Sequence, residues 1–173
     1  MPGFERSCGS GGPGRSSRSL GCHDRALGLL AVRPRSRREL QIRLLRAGFD
    51  AAEVDEELLR LETVGLIDDE AFAAAVVKQQ LSVRRAGRRA VADALYAKGL
   101  SRERVEEALA EMRPGDEEER AIELARTKVP RLGEIEPEVA YRRLIGFLAR
   151  RGYPPSVARS AAARALGTET DPE

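Results

Sequence analysis

One short pattern is written three times along this chain. It reads Leu44-Leu45-Arg46-Ala47-Gly48-Phe49, then Leu95-Tyr96-Ala97-Lys98-Gly99-Leu100, then Leu148-Ala149-Arg150-Arg151-Gly152-Tyr153. The three glycines recur at an interval of roughly fifty residues, and eight positions before each sits an aliphatic residue: Leu40, Val91 or Leu144. Self-similarity at such a period describes stacked copies of one supersecondary unit, because a single copy cannot bury its apolar face alone. A tandem array of this kind offers an extended binding surface and seldom encloses a catalytic pocket.

The composition points to helices. Ala, Leu, Glu and Arg dominate, all strong helix formers, and no period-two alternation marks a strand. With 42% apolar residues but no Trp, four Phe and three Tyr, the core must be mostly Leu, Val, Ile and Ala. The expected fold is all-α: three tandem three-helix repeats. The helices are expected at 24–33, 36–47 and 50–64, then 69–84, 87–98 and 101–112, then 116–129, 137–151 and 155–166. The corresponding segments are a disordered N-terminal tail over 1–22, rich in Gly, Ser, Pro and Arg, repeats over 23–66, 67–113 and 114–166, and a polar tail over 167–173. No apolar run approaches the ~20 residues that span a bilayer. With no secretory signal and only Cys8 and Cys22, the chain reads as cytoplasmic, without membrane contact and without a disulfide framework.

Each repeated corner carries its own turn chemistry. Gly48 and Gly99 suit the left-handed position that ends a helix, where a Cβ would clash. Asp50 and Ser101 then cap the next helix, with Glu53 completing a capping box in the first repeat. In the third repeat Pro154-Pro155 opens the helix, since Pro lacks the amide hydrogen that would be orphaned there. Ser36 with Glu39 forms another capping box. Asp68 caps the helix that follows, and Asp69 and Glu70 favour its positive end.

Little in the chain supports catalysis. His23 is the single histidine, and beside Cys22 it falls short of the four ligands of a zinc site. Ser-His-Asp and Cys-His arrangements need a histidine inside the fold, and no phosphate-cradling glycine loop is present. Asp68, Asp69 and Glu70 are successive helical residues that diverge by about 100° per residue, so capping explains them better than a metal. No enzyme activity, cofactor or metal is therefore expected.

The distribution of charge is more informative than the net charge of +2. In the first repeat Arg33, Arg35, Arg37, Arg38, Arg43 and Arg46 face one acid, Glu39, and the following helix is acidic. In the second, Lys78, Arg84, Arg85, Arg88, Arg89 and Lys98 face only Asp93. In the third, Arg142, Arg143, Arg150 and Arg151 follow Glu138. The second helix of each repeat, with its leading turn, is thus basic. Stacked in register, these helices form a stripe suited to phosphates or an acidic protein surface. A solvated face with i, i+4 pairs such as Glu39–Arg43 accounts for any one arginine; the repeated segregation points to function. No aromatic residues interleave with the arginines, which argues against base readout on single strands. Reversing Arg85, Arg88 and Arg89 to Glu is expected to abolish function and to leave helical content intact.

These residues resemble the RecX family of regulators of the RecA recombinase. The resemblance rests on Ala31-x-Arg33-x-Arg35-Ser36-x-x-Glu39-Leu40 with Leu44, on Gly65-Leu66-Ile67-Asp68-Asp69-x-x-Phe72-Ala73, on Gly87-x-x-x-Val91-x-x-x-Leu95-x-x-Lys98-Gly99, and on Leu148-x-x-Arg151-Gly152-Tyr153. It covers about residues 24–166. It implies an elongated, curved array of the three repeats, and a monomer without enzymatic activity that binds the RecA filament on single-stranded DNA, reaching DNA through phosphates, and lowers ATP hydrolysis, strand exchange and filament growth. The chain departs from the family pattern in the first helix of the second repeat, where Val76 stands for an aromatic and Gln79-Gln80 for basic residues. Two other readings stay open: a helix-turn-helix DNA-binding protein built on Ala47-Gly48-Phe49-Asp50, and a helical scaffold for another partner.

Overall fold

The computed structural model describes residues 21–167; the expected tail over 1–20, with Cys8, and the end over 168–173 lie outside them. Nine α-helices and no strands are found among the described residues. They are α1 (Cys22–Val32), α2 (Arg37–Arg46), α3 (Ala51–Thr63), α4 (Asp69–Ser82), α5 (Arg88–Ala97), α6 (Arg102–Ala110), α7 (Pro114–Lys128), α8 (Pro137–Arg150) and α9 (Pro155–Leu166), with one 3-10 turn at Val129–Arg131 after α7. They group in threes, each group around its own core.

The repeat marks the centre of each core. Leu40 and Leu44, Val91 and Leu95, and Leu144 and Leu148 are all 0% exposed. Each pair is one helical turn apart and so points to the same side of α2, α5 or α8. Burying such a side chain contributes roughly 2 kcal/mol. Around them pack Val54, Leu58 and Leu61 in the first unit, Phe72, Val105 and Leu109 in the second, and Ala158, Ala161 and Ala162 in the third. The alanines of α9 let α7 approach closely.

The glycine corners adopt one conformation. Gly48, Gly99 and Gly152 have φ of 94°, 78° and 83°. The amides of Phe49, Leu100 and Tyr153 donate back to the carbonyls of Leu44, Leu95 and Leu148, while those of Gly48, Gly99 and Gly152 donate to Leu45, Tyr96 and Ala149. This paired bonding satisfies carbonyls that a helix end would otherwise orphan. The expected caps form at Ser36, Asp50, Asp68 and Ser101.

Three local expectations are corrected. The tail does not reach residue 22: Cys22 opens α1 and is 4% exposed in the first core. Asp50 accepts from the Ala52 amide at 2.8 Å rather than from Glu53. The Glu39 amide donates to Ser36 Oγ at 3.1 Å, as the capping box requires, but the Glu39 carboxylate does not return the bond, because Arg33, Arg35 and Arg43 all converge on it. Burial alone would raise that carboxyl, but the guanidinium of Arg33, helped by Arg35, outweighs burial and holds it below the usual glutamate value. A depressed carboxylate stabilises the fold above its unfolded pKa and loses that contribution as pH falls through the folded one. Glu39→Gln should therefore be less stable than the parent at neutral pH, with the gap closing below about pH 4.3. Urea titrations at several pH values check this; a gap of constant size would rule out the ionic origin.

Successive units join by one device. The N-terminus of the second helix in one unit sits on the glycine corner of the next. At the first joint Ser36 Oγ donates to the Lys98 carbonyl, and the Arg37 amide donates to Asp69 Oδ1 at 2.9 Å. At the second joint the amides of Gly87 and Arg89 donate to the carbonyls of Arg151 and Gly152, at 2.8 and 3.2 Å. The Arg88 amide donates to Glu117 Oε1 at 2.7 Å. Asp69 and Glu117 each stand in the opening turns of the next unit's first helix, so each second helix is capped partly by its neighbour.

Candidate functional site

The basic side chains do not form one uniform stripe. Arg35 is 6% exposed and bonds to the Leu29 carbonyl and Glu39. Arg43 shares Glu39 with it, Arg37 pairs with Glu62 at 3.0 Å, and Arg142 pairs with Glu138 at 3.3 Å. Arg38 bonds to Gln41 and lays its stem on Gly99. Arg88 donates to the carbonyls of Leu109 and Met112, closing the end of α6. It is a structural residue, so the reversal of Arg85, Arg88 and Arg89 would disturb the joint as well as the surface.

Arg46, Lys78, Arg84, Arg85, Arg89, Lys98, Arg143 and Arg150 make no ion pair with the described residues. Most of these lie in the second unit, and Arg150 reaches the same region from α8. Four of the eight, Arg84, Arg85, Arg89 and Arg150, stand at the second joint. There Arg84, Arg150 and Arg151 wall an open cleft of about 680 Å³ in which Asp93 is the single acid. Ala90 and Ala94, one turn apart on α5, line it with small side chains.

The third unit holds this cleft in shape. Residues 83–87 link α4 to α5, and Arg85 there has φ 47°, the one non-glycine in the left-handed region among the described residues. The Tyr153 hydroxyl donates to the Arg85 carbonyl at 3.0 Å, and the Arg151 guanidinium donates to the Arg84 carbonyl. Tyr153 is 3% exposed, and burial pushes its phenol above the usual tyrosine value, so it stays a donor. Arg151 also stands 5.5 Å from the centroid of Phe147, whose ring Lys128 approaches at 5.6 Å. An aromatic does interleave with cations here, contrary to the sequence reading, but two cations already attend its ring.

A left-handed non-glycine costs about 1 kcal/mol and persists only where its surroundings impose it. Arg85→Gly is therefore expected to stabilise the fold by about 1 kcal/mol. It should also weaken binding of an anionic partner, through lost charge and a looser loop. Denaturant titration together with an affinity measurement separates the two effects; stabilisation without weaker binding would remove Arg85 from the site.

The remaining candidates for chemistry have other tasks. His23 Nδ1 lies 2.7 Å from Glu57 Oε1. Cys22 is buried, and burial with the nearby charges of Glu53 and Glu57 raises its thiol, which disfavours a reactive thiolate. Asp68 caps α4, Asp69 caps α2 across the joint, and Glu70 faces Arg104, so these three carboxylates serve three different partners. No helix among the described residues is long and apolar enough to cross a membrane. Sequence reasoning missed Tyr153, Asp69 and Glu117 as joint residues. The available signals were the aromatic after the third corner and the acid in the opening turns of each unit's first helix.

Fold and site together define an all-helical tandem-repeat protein with a polycationic cleft at one joint. Models of the first, second and third RecX three-helix domains match residues 22–61, 68–109 and 116–162. The chain is 39% identical over 130 residues to the regulatory protein RecX of Amycolatopsis mediterranei, covering 75% of this chain and 74% of that one. It is 40% identical over 149 residues to that of Mycolicibacterium smegmatis, covering 84% and 79%. The crystal structure of RecX from Lactobacillus salivarius superposes with a TM-score of 0.77 at 19% identity, over 83% of this chain and 94% of that chain. The chain belongs to the RecX family of regulatory proteins.

Proposed function

We propose that this protein is a non-enzymatic negative regulator of the RecA recombinase. It binds the RecA filament on single-stranded DNA and slows ATP turnover, strand exchange and filament growth. The observation that carries the reading is the cleft at the second joint, where Arg84 and Arg150 make no ion pair with the described residues and side chains of the next unit hold the backbone of Arg84 and Arg85. Cations without an acid of their own are available to an anionic partner, and a held backbone beneath them lowers the entropy lost on binding. A row of units of fixed spacing can bridge neighbouring filament protomers and resist the motion tied to turnover. The family relationship supplies the regulatory role, and the charge supplies the means.

The test is a titration into RecA on single-stranded DNA with ATP. Turnover and strand exchange should fall as the protein approaches stoichiometry, and the effect should weaken with added salt. Unchanged turnover and exchange at stoichiometric protein would sink the proposal. The helix-turn-helix alternative is disfavoured because the helix after the Gly48 turn exposes Glu53, Asp55 and Glu56, which phosphates would repel. Salt-dependent binding to duplex DNA without RecA would revive it.

A further inference from the structure

The cleft at the second joint carries charges of both signs that do not satisfy each other. Arg84 and Arg150 line it, and neither makes an ion pair with the described residues. Asp93 lines it too, exposed on α5, and its carboxylate has no hydrogen bond or ion pair among those residues either. Arg89 stands four residues before Asp93 on the same helix, yet the two do not pair. By contrast Glu39, Glu106 and Glu138 are each taken up by an arginine four residues away on their own helix.

Much of the remaining lining is apolar. Ala90 and Ala94 share one face of α5 with Asp93, so the carboxylate rises from a floor of methyl groups. Val83 precedes Arg84 in the link between α4 and α5, lines the same cleft and is 76% exposed. No aromatic residue lines the cleft among the described residues.

These features separate two kinds of anionic partner. A nucleic-acid strand offers phosphates to the arginines and nothing to Asp93. Laid on the alanine floor, it would bring like charges together, which costs affinity. Its bases would find no ring to stack on, and its phosphates would gain nothing from the methyl groups of Val83. A polypeptide can supply all that the cleft asks for: carboxylates for Arg84 and Arg150, a basic group for Asp93, and an apolar side chain for Val83 and the alanines.

We propose that the second-joint cleft takes a polypeptide segment of the partner, one bearing carboxylates, a basic residue and an apolar side chain, and that nucleic acid stays outside it. The arginines supply attraction, while Asp93 and Val83 select the class of partner. This rests on the reading of the chain as a regulator of the RecA filament, and it puts the protein of that filament in the cleft.

The test places the photo-crosslinking amino acid p-benzoylphenylalanine at position 83. The full chain is mixed with RecA filaments on end-labelled oligo(dT) with ATP, and co-sedimentation reports whether the complex forms. A parent chain that does not co-sediment removes the filament reading, and this proposal with it. In the complex, irradiation should join the chain to RecA polypeptide. Label on the chain overturns the proposal and leaves the filament reading standing. So does a crosslink only to a second copy of the chain, or none at all.

Asp93→Asn and Val83→Ser give a second readout. Each should raise the concentration for half-inhibition of RecA turnover about fivefold. Neither should change the affinity of the chain for fluorescein-labelled oligo(dT) without RecA, followed by anisotropy. The Asp93 side chain makes no bond to the fold and Val83 is exposed, so both variants should keep the parent's denaturation midpoint. A cleft filled by DNA predicts the opposite for Asp93→Asn, tighter oligonucleotide binding and stronger inhibition. That result, or inhibition that neither variant changes, overturns the proposal.

Discussion

Gly152→Val should unfold or uncouple the third unit, with a loss of about 3 kcal/mol or more. The added Cβ would lie 2.4 Å from the Ala90 nitrogen and 2.5 Å from the Ala90 Cβ, and neither can swing aside. The residue would also sit at φ 83°, where a β-branched side chain is strained. The backbone bonds from Gly87 and Arg89 would break together, since both cross this contact. Gly48→Ala is the matched control: the same left-handed backbone in open space, at a cost of about 1 kcal/mol. Urea denaturation of both variants, followed by circular dichroism, checks the prediction. Equal losses would show that the joint adds nothing beyond the turn.

Charge reversal at the second joint should have the largest functional effect. Arg84→Glu, Arg89→Glu and Arg150→Glu together change the local charge by six units, and none of the three arginines makes an ion pair with the described residues. The concentration needed for half-inhibition of RecA turnover should rise on the order of a hundredfold, through lost attraction and added repulsion. Helical content and the denaturation midpoint should stay close to the parent values, because no tertiary bond uses these guanidinium groups. Arg88→Glu should behave in the opposite sense, lowering stability first, since its guanidinium closes α6 at Leu109 and Met112. A triple variant that inhibits as well as the parent would place the binding surface elsewhere.

The helices, their caps and the three corners were legible because their chemistry is local. A glycine four residues beyond a buried leucine, followed by an apolar residue and a cap, states its geometry within ten residues. The cores followed from the same spacing, and Leu44, Leu95 and Leu148 occupy the places it predicted. The candidate site was legible only as a composition of arginines. Arg35, Arg88 and Arg151 look like Arg84 and Arg150 along the chain, yet the first three are held by carbonyls, by Glu39 or by an aromatic ring. Several of the deciding partners lie far away in sequence: Arg151 meets Arg84, and Tyr153 meets Arg85, across more than sixty residues. No periodicity within one helix encodes such a meeting.

By itself, then, the sequence determined the repeat, the nine helices found among the described residues and the way each unit closes, because backbone turns and apolar spacing act over a few residues. Only the tertiary structure decided which cations find an acid among the described residues and which glycine corners seat a neighbouring helix. Both depend on how one unit seats on the next, and that seating is made by backbone amides and carbonyls, which every residue carries and no side-chain pattern announces.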